Sequence, residues 1–381
     1  MKTFPISLIL LTTLLTSQFT MAYPTPPVVK AKGAVLIEQE SKRILYGKEA
    51  QSPLPMASTT KVMTCIIALE KGKLDDIVTI SSKAASAPEV KLHLRTGEKQ
   101  RLGDLLYSLM LESHNDTAVA IAEHIGGSVE GFCEMMTQKA YELGATSTSF
   151  QTPNGLDGPK HYTTPYDLAI IGAYALNNPE FVKIITTENI VIPTVKVEGS
   201  RSHSLQNKNR FLYSYPDANG MKTGFTNKAG HCFIGSAKRG DMQLIGVALA
   251  SGWGNKGKTQ KYQDVINLMN YGFKNYEKVK VLEPIKDYDQ VNVKKGVVKK
   301  VSLECTEEVT LPLLQEEKKQ LTIKKVVPTE LVAPIEKGQI VGEVEIRCND
   351  VLLAKRDLKT QEAVRKATVV DYIKGFFIKN R

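Results

Sequence analysis

The sequence predicts an α+β domain, residues 23–277, followed by a small all-β domain, residues 278–363. Apolar residues with helical spacing dominate the first part of the larger domain, and two long apolar strand-like runs follow between residues 219 and 250. From about residue 278, short alternating runs rich in Val, Ile, Lys and Glu replace the helical pattern, which is typical of a β-sandwich. A chain of 381 residues is long enough to bury two separate cores.

Residues 1–22 have the pattern of a secretory signal peptide. Lys2 precedes an apolar run from Ile6 to Leu15, and small residues stand at the minus-three and minus-one positions of a cleavage site after Ala22. We therefore expect the rest of the chain to be exported. An uncleaved membrane anchor is the alternative, although the apolar run is short for a transmembrane helix.

The chain is basic, with a net charge of +10 at pH 7. Because Lys2 is the only charged residue of the predicted signal peptide, the exported part carries +9. Outside a cell, the anionic partners available to such a protein are lipid headgroups and cell-wall polymers. The lysines are dispersed and form no nucleic-acid-binding motif, so we expect no nucleic-acid partner.

Five cysteines are too few and too scattered for a disulfide-stabilised fold. Cys305 and Cys348 both fall in the all-β domain, and a disulfide between them is left open. The six histidines lack the spacing of metal ligands. We therefore expect neither a metal ion nor another cofactor.

The first elements are a hairpin and a buried helix. Two apolar runs, residues 34–37 and 44–46, flank a polar turn and predict paired strands. Ser58 and Lys61 then stand at the start of an almost wholly apolar helical run that reaches Leu69. Residues three apart share a helix face, and burial lowers the pKa of a lysine, so this pair predicts a nucleophile and its general base. A simple helix cap at Ser58 is the alternative.

The second feature is the polar triplet Ser113-His114-Asn115, which separates two predicted helices at residues 102–111 and 117–125. Such a triplet can present a hydroxyl and an amide together into a cleft. Taken alone, the triplet is better explained by ordinary helix capping. Further helices are predicted at residues 129–143, 167–176 and 181–185, and strands from residue 190 to residue 197.

The third feature is Lys222-Thr223-Gly224, which lies on a predicted strand of an antiparallel hairpin. A cation and a hydroxyl at this position suit the binding of a carboxylate, and the glycine lets a ligand lie against the backbone. An exposed turn is the alternative.

Residues 364–381 predict an amphipathic helix at the membrane surface. Five apolar side chains fall on one helical face, and basic residues fall mostly on the other. The apolar residues are Val369, Val370, Ile373, Phe376 and Phe377. Docking of the same helix on the all-β domain is the alternative.

The three motifs, in this order, are the signature of penicillin-binding proteins and serine β-lactamases. From about Val28 to its end, the sequence resembles the low-molecular-mass penicillin-binding proteins of the D-alanyl-D-alanine carboxypeptidase family. The similar stretches are Pro55 to Lys61, Asn154 to Asp157, His161 to Thr164 and Met221 to Gly224. The resemblance implies a penicillin-binding/β-lactamase-like fold, an antiparallel sheet flanked by helices, and a protein held on the outer face of the cytoplasmic membrane.

The implied reaction removes the terminal D-alanine from peptidoglycan stem pentapeptides that end in D-Ala-D-Ala, and β-lactam antibiotics are the implied inhibitors. Lys61 would take the proton from Ser58, whose oxygen forms an acyl-enzyme, and Ser113 would pass a proton to the leaving D-alanine. The other implied roles are substrate binding by Asn115, Lys222, Thr223 and Gly224, and an oxyanion hole formed by the backbone N–H groups of Ser58 and Phe225.

Two other functions stay open. A β-lactamase shares the three motifs, but the loop around Asn154 lacks a glutamate-asparagine pattern for hydrolysing the acyl-enzyme. A catalytically silent cell-wall-binding protein would not need every motif residue intact. Three positions depart from what the resemblance leads us to expect: His114 in place of glycine, and Lys208 and Lys261 in place of arginine.

Overall fold

The computed structural model describes residues 23–192, 198, 200–371 and 373. The predicted signal peptide, residues 1–22, lies outside the described residues, as do residues 372 and 374–381 of the predicted tail helix.

The α-helices, in chain order, are α1 (Lys61–Lys71), α2 (Ser82–Ala85), α3 (Leu102–Tyr107), α4 (Asn115–Gly126), α5 (Val129–Glu142), α6 (Pro165–Ala175), α7 (Pro179–Thr186), α8 (Phe211–Ser214), α9 (Gly254–Asn275) and α10 (Gln315–Lys318). The strands of the first domain are β1 (Gly33–Glu38), β2 (Ile44–Lys48), β3 (Ile77–Thr79), β4 (Lys99–Arg101), β5 (Asn189–Ile192), β6 (His203–Gln206), β7 (Ala218–Thr226), β8 (Gly230–Arg239) and β9 (Met242–Leu249). The strands that follow are β10 (Glu277–Leu282), β11 (Ile285–Lys294), β12 (Lys300–Cys305), β13 (Val309–Leu313), β14 (Leu321–Val326), β15 (Glu330–Val332), β16 (Ile340–Cys348) and β17 (Val351–Thr360).

A five-stranded antiparallel sheet is the centre of the first domain. Its strand order is β2-β1-β9-β8-β7, so β7, which carries Lys222 to Gly224, is an edge strand. Helices α1 and α6 pack on one face of the sheet, and α9 packs on the other. This arrangement confirms the predicted antiparallel sheet flanked by helices.

Helix α1 is almost wholly buried. A 3₁₀ turn, Ala57–Thr60, leads into it, and its residues from Lys61 to Ala68 are all buried. The nearly continuous apolar sequence explains this, since a helix with no polar face is stable only when other elements surround it. Ser58 therefore stands at the N-terminal end of a helix in the middle of the domain.

Several elements differ from the sequence prediction. The helix expected at residues 102–111 is α-helical only to Tyr107 and continues as a π-helical turn, Ser108–Glu112. The strands expected from residue 190 to 197 are described only to Ile192, because residues 193–197 lie outside the described residues. Helix α9 was missed, because its first half is almost wholly polar and only Val265, Leu268 and Met269 among its buried residues carry large apolar side chains.

The second domain is all-β, as predicted. Six strands form one sheet in the order β14-β16-β17-β12-β11-β15, and β10 pairs with β13 to form a second sheet. Apolar side chains of both sheets share one core, which contains Leu303, Leu311 and Ile346. Cys305 and Cys348 are unpaired, as are the other three cysteines, so the disulfide left open by the sequence does not form.

The two domains meet through polar and apolar contacts. Arg43, in the β1–β2 hairpin, forms a bidentate ion pair with Glu317 and also donates to the carbonyl of Pro312. Leu314 packs into the core of the first domain. Side chains from both domains are thus buried together at the junction.

The described part of the predicted tail begins as extended chain and becomes helical at residues 369–371 and 373. Val364 is buried and pairs with Ile335, which explains why the helix does not begin at residue 364. Within the described residues, no helix is both long and apolar enough to span a membrane.

Candidate active site

Ser58 and Lys61 are in direct contact at the N-terminal end of α1. The Lys61 amine lies 3.0 Å from the Ser58 hydroxyl oxygen, and Lys61 is fully buried. The three-residue spacing crosses from the 3₁₀ turn into the α-helix, which places both side chains on one side of the chain.

The backbone carbonyl of Asn154 is the second partner of this pair. It lies 2.5 Å from the Lys61 amine and 3.2 Å from the Ser58 hydroxyl. The loop that carries it is fixed from α1, because the Thr64 hydroxyl donates to the carbonyl of Pro153 at 2.6 Å. Thr64 lies three residues after Lys61, on the same face of the helix.

Every hydrogen-bond partner of the Lys61 amine is neutral. Besides Ser58 and Asn154, the partner is the side-chain oxygen of Asn115, at 2.8 Å. Burial, and then the positive charge of Lys222, lower the pKa of Lys61 well below its usual value, against a smaller opposing effect of Asp116. A neutral amine has two N–H donors for the oxygens of Asn115 and Asn154, and a lone pair that can accept the Ser58 proton.

Asn115 is positioned by the loop of residues 88–94. Its amide nitrogen donates to the carbonyls of Pro88 and Glu89, at 3.2 and 3.0 Å. The neighbouring Asp116 is buried and accepts the backbone N–H groups of Leu92 and Leu94, each at 3.0 Å. The start of α4 and this loop therefore hold each other in place.

Ser113 stands between the π-helical turn and α4. It has a left-handed backbone conformation, with φ of 71°, which turns the chain sharply before Asn115. Its hydroxyl is partly exposed and makes no hydrogen bond within the described part of the chain. Ser113 is thus two residues from a direct partner of Lys61, but it is not itself bonded to Lys61 or Ser58.

Lys222 and Thr223 lie on the edge strand β7. Lys222 is buried, and its amine donates to the Thr223 carbonyl at 3.0 Å. Burial and the charge of Lys261 lower the pKa of Lys222 to about 7. The Thr223 side chain is partly exposed at the open edge of the sheet.

Gly224 lies directly against the backbone of Ser58. A Cβ atom at this position would lie 2.7 Å from the Ser58 nitrogen and 3.0 Å from the Ala57 Cβ, so only glycine fits. Gly155, with φ of +90°, approaches the same peptide from the other loop. The Ser58 N–H donates no hydrogen bond within the described residues, as is usual in the first turn of a helix.

Phe225 follows Gly224 at the exposed end of β7. Its ring is 43% exposed and packs against His231, with ring centroids 4.4 Å apart.

Lys261 is buried in α9, where burial lowers its pKa to about 8. Lys208 forms a surface ion pair with Glu112 at 3.3 Å.

Two buried histidines lie beside the site in the neutral state. His161 Nδ1 accepts the Gln151 N–H at 3.0 Å, so its Nε2 carries the proton and donates to Thr60 Oγ1 at 2.9 Å. His114 Nδ1 lies 2.9 Å from the Ser108 hydroxyl. Burial lowers the pKa of each histidine to about 4.

The arrangement is suited to nucleophilic catalysis by a serine with an amine base. The hydroxyl touches a buried lysine with a lowered pKa, and Gly155 and Gly224 lie against the Ser58 backbone, whose N–H donates no hydrogen bond within the described residues. No group of three His, Cys, Asp or Glu side chains that could hold a metal ion occurs among the described residues.

Residues 20–252 match the family described as D-alanyl-D-alanine carboxypeptidase. The chain belongs to this family. Residues 276–366 match the C-terminal domain of penicillin-binding protein 5. Together the two matches confirm the resemblance that the motifs indicated, and they make this chain a member of a carboxypeptidase family.

Relatives and solved structures agree with this membership. The chain is 32% identical to D-alanyl-D-alanine carboxypeptidase DacF of Bacillus subtilis, over 91% of this chain and 88% of that protein. It is also 32% identical to DacA of Haemophilus influenzae, over 91% of this chain and 88% of that protein. The crystal structure of penicillin binding protein 5 from Haemophilus influenzae superposes with a TM-score of 0.78 at 29% identity, covering 90% of this chain and all of the other.

Sequence reasoning assigned no role to three contributors to the site of this carboxypeptidase family member, although two of them lie in stretches that carry the resemblance. They are the Asn154 carbonyl, Thr64 and the His161 side chain. Thr64 could have been predicted from the sequence, because a residue three positions after Lys61 lies on the same face of the helix as Lys61. A backbone carbonyl has no residue signature, so the role of Asn154 could only come from the structure.

Proposed function

We propose that the protein is a serine-type D-Ala-D-Ala carboxypeptidase that removes the terminal D-alanine from peptidoglycan stem pentapeptides through an acyl-enzyme on Ser58. The observation that carries the proposal is the 3.0 Å contact between the Ser58 hydroxyl and the buried Lys61 amine, whose other partners are neutral. A buried amine without a carboxylate partner is a base at neutral pH.

In the first step Lys61 accepts the Ser58 proton while the oxygen attacks the carbonyl of the penultimate D-alanine. The negative charge that develops on this carbonyl oxygen is stabilised by the N–H groups of Ser58 and Phe225. The unbonded Ser58 N–H and the close approach of Gly224 support this placement.

In the second step the C–N bond breaks, and the proton that Lys61 took from Ser58 passes through the Ser113 hydroxyl to the nitrogen of the leaving D-alanine. The Ser113 hydroxyl has no competing partner in the described residues, and it precedes Asn115 at the turn into α4. Lys222 and Thr223 bind the carboxylate of the leaving residue, and the second lone pair of the Asn115 side-chain oxygen accepts the N–H of the substrate amide. Water then hydrolyses the ester to release the shortened peptide and regenerate Ser58.

A β-lactam carries a strained amide and a carboxylate in similar positions, so the same serine would be acylated by these inhibitors. We propose that residues 1–22 are removed on export, and that the mature protein acts on the outer face of the cytoplasmic membrane. Residues 23–277 form the catalytic domain, residues 278–363 the β-sandwich, and residues 364–381 attach the protein peripherally to the membrane.

The proposal is tested by incubating the mature protein and a Ser58→Ala variant with labelled penicillin and, separately, with a pentapeptide that ends in D-Ala-D-Ala. We expect the parent to form a long-lived adduct and to release D-alanine, and the variant to do neither. Rapid penicillin turnover would instead indicate a β-lactamase. Absence of both adduct and release would indicate a silent binding protein.

Membrane attachment is tested by removing residues 369–381, which spares the buried Val364. We expect the shortened protein to leave the membrane fraction, or to bind it much more weakly. Full retention would refute the role of the tail helix.

A further inference from the structure

The turn between β11 and β12 is both basic and apolar. Its sequence is Lys294-Lys295-Gly296-Val297-Val298-Lys299-Lys300, and we call these residues the hairpin tip. All four lysines are exposed, and Val297 and Val298 are 39% and 43% exposed. Turns are usually built from polar residues, so two adjacent exposed valines between pairs of lysines require another explanation.

The hairpin tip packs on a small core of its own. Val293 and Val301, at its two ends, are buried together with Ile335 and Val364. A Cβ atom on Gly296 would lie 2.9 Å from a methyl carbon of Val364. The exposed valines therefore stand on a packed base, and little conformational entropy is lost when a partner binds them.

The chain that enters the tail helix runs along the hairpin tip. The Val297 N–H donates to the Arg365 carbonyl at 3.2 Å, and the Ala367 N–H donates to the Lys295 carbonyl at 2.8 Å. The hairpin tip and the start of the tail helix are consequently neighbours at one end of the β-sandwich.

The start of the tail helix is also fixed. The Thr368 N–H and hydroxyl donate to the Asp371 carboxylate at 2.9 and 2.7 Å, and Arg365 forms an ion pair with the same carboxylate at 2.6 Å. Just beyond this cap, Val369 and Val370 are 75% and 57% exposed. Two exposed pairs of valines thus lie on adjoining segments.

The charges around these valines are mostly free of acidic partners. Lys294 approaches Glu330 at 3.8 Å, whereas Lys295, Lys299 and Lys300 form no ion pair within the described residues. Arg365 is neutralised by Asp371. The surface is therefore positively charged and apolar at once, which complements an anionic lipid interface.

We propose that the hairpin tip and the start of the tail helix form one docking surface for an anionic lipid bilayer. The valines enter the interface, and the free lysines contact the headgroups. The proposal rests on the membrane attachment proposed above and adds a second, prefolded contact to it. A helix alone fixes only the distance of the β-sandwich from the membrane, whereas two contacts also fix its orientation. A soluble polyanion would attract the lysines but gain nothing from the valines.

Binding of the mature protein, residues 23–381, is measured by co-sedimentation with vesicles of phosphatidylglycerol and phosphatidylethanolamine, and with phosphatidylcholine vesicles. One variant removes charge, Lys295→Gln with Lys299→Gln and Lys300→Gln, and another removes apolar surface, Val297→Ser with Val298→Ser. At about fivefold per lysine, the first should weaken binding to anionic vesicles roughly 100-fold, and the second should weaken it about tenfold.

Matched controls lie away from the hairpin tip, on the edge strand β14, just before it, and at the start of β11. The charge control is Lys286→Gln with Lys319→Gln and Lys324→Gln, three exposed lysines that form no ion pair within the described residues. The apolar control is Ile323→Ser with Val326→Ser, whose side chains are 50% and 39% exposed. Because all the altered side chains are at the surface, we expect every variant to keep the thermal unfolding midpoint of the parent within a few degrees. The controls should bind vesicles as the parent does.

Parent-like binding by either tip variant overturns the proposal. The proposal is also overturned if only the charge variant binds vesicles more weakly and it loses binding to soluble polyphosphate to the same extent. That result would indicate a polyanion as the partner. A Phe376→Ser, Phe377→Ser variant separates the two proposals. If this variant binds vesicles as the parent does while the tip variants bind weakly, the proposed anchoring by the tail helix is refuted and the proposed contact through the hairpin tip is supported.

Discussion

The side-chain oxygen of Asn115 lies 2.8 Å from the amine of Lys61 inside the protein. The same side chain donates its N–H groups to the loop carbonyls of Pro88 and Glu89, which fixes which end of the amide faces the lysine. A neutral oxygen at this distance accepts a hydrogen bond without supplying a negative charge. It therefore orients the amine and leaves its pKa low.

An Asn115→Asp variant should reverse this effect. A carboxylate beside Lys61 stabilises the ammonium form and raises the pKa of the amine, so acylation by labelled penicillin at pH 7 should slow about 100-fold. The acidic limb of the pH–rate profile should move to higher pH. An Asn115→Ser control, without the charge, should slow acylation without moving that limb. An unmoved limb in the aspartate variant would contradict a neutral Lys61.

The hydrogen bond from Thr64 to the Pro153 carbonyl should control the position of the Asn154 carbonyl. In a Thr64→Val variant the Pro153 carbonyl loses its buried donor, so the free energy of unfolding should fall by about 1–3 kcal/mol. The rate of acylation should fall as well, because Asn154 would no longer hold Lys61 and Ser58. Urea unfolding and penicillin-labelling rates measure the two effects. Thr64→Ser keeps the hydroxyl and should restore most of the rate; failure to do so would show that the hydroxyl is not the cause.

Gly224 should tolerate no side chain. In a Gly224→Ala variant the new Cβ meets the Ser58 nitrogen at 2.7 Å, so β7 must move away from the site. We expect the acylation rate to fall by about 100-fold, since the donors around the developing oxyanion are displaced. A Gly47→Ala control places its Cβ no closer than 3.3 Å to a neighbour, on the strand at the far edge of the sheet. Parent-like acylation by the Gly224 variant would remove β7 from the proposed oxyanion hole.

The buried histidines should make the protein sensitive to acid. Burial holds the pKa of His161 at about 4, below its value in the unfolded chain, so the unfolded state binds more protons between about pH 6.5 and pH 4. The stabilising effect of the neutral ring is complete above pH 6.5 and is lost as the pH falls towards 4. For one histidine the loss is on the order of 3 kcal/mol.

A His161→Gln variant should flatten this pH dependence, because its amide can replace both hydrogen bonds and does not titrate in this range. Urea unfolding at pH 7 and pH 4.5 gives the free energy of unfolding of parent and variant. We expect the difference between the two pH values to be smaller in the variant. An equal difference would mean that the acid sensitivity arises elsewhere, with His114 the next group to test.

Local patterns predicted most of the helices and strands. Helix α1 could be predicted because apolar residues occupy nearly all of its faces, and the hairpin of β8 and β9 could be predicted from the turn residues Arg239-Gly240-Asp241 between two apolar runs. Helix α9 could not, because only one narrow stripe that includes Val265 and Leu268 is apolar and its other faces are polar. Such a narrow apolar stripe does not by itself indicate a buried helix, and it is recognised only when the sheet that covers it is known.

The sequence predicted which residues form the site, but not how their side chains contact one another. Ser58, Lys61 and Asn115 could be named because their side chains carry the chemistry, and the structure brings these three together. The sequence did not reveal that Asn115 would approach Lys61 with its oxygen, since that depends on the loop carbonyls that bind its nitrogen. The glycine of the third motif was expected to admit a ligand; the structure places the Ser58 backbone itself against it.

The five unpaired cysteines make this protein convenient for site-specific labelling. All five are buried, and burial raises the pKa of the Cys133 thiol to about 12 and that of Cys232 to about 11, so few reactive thiolates are present at neutral pH. A single cysteine introduced at an exposed position would therefore react far faster than any native one. A fluorophore placed there could report the environment of any chosen surface without prior removal of the native thiols.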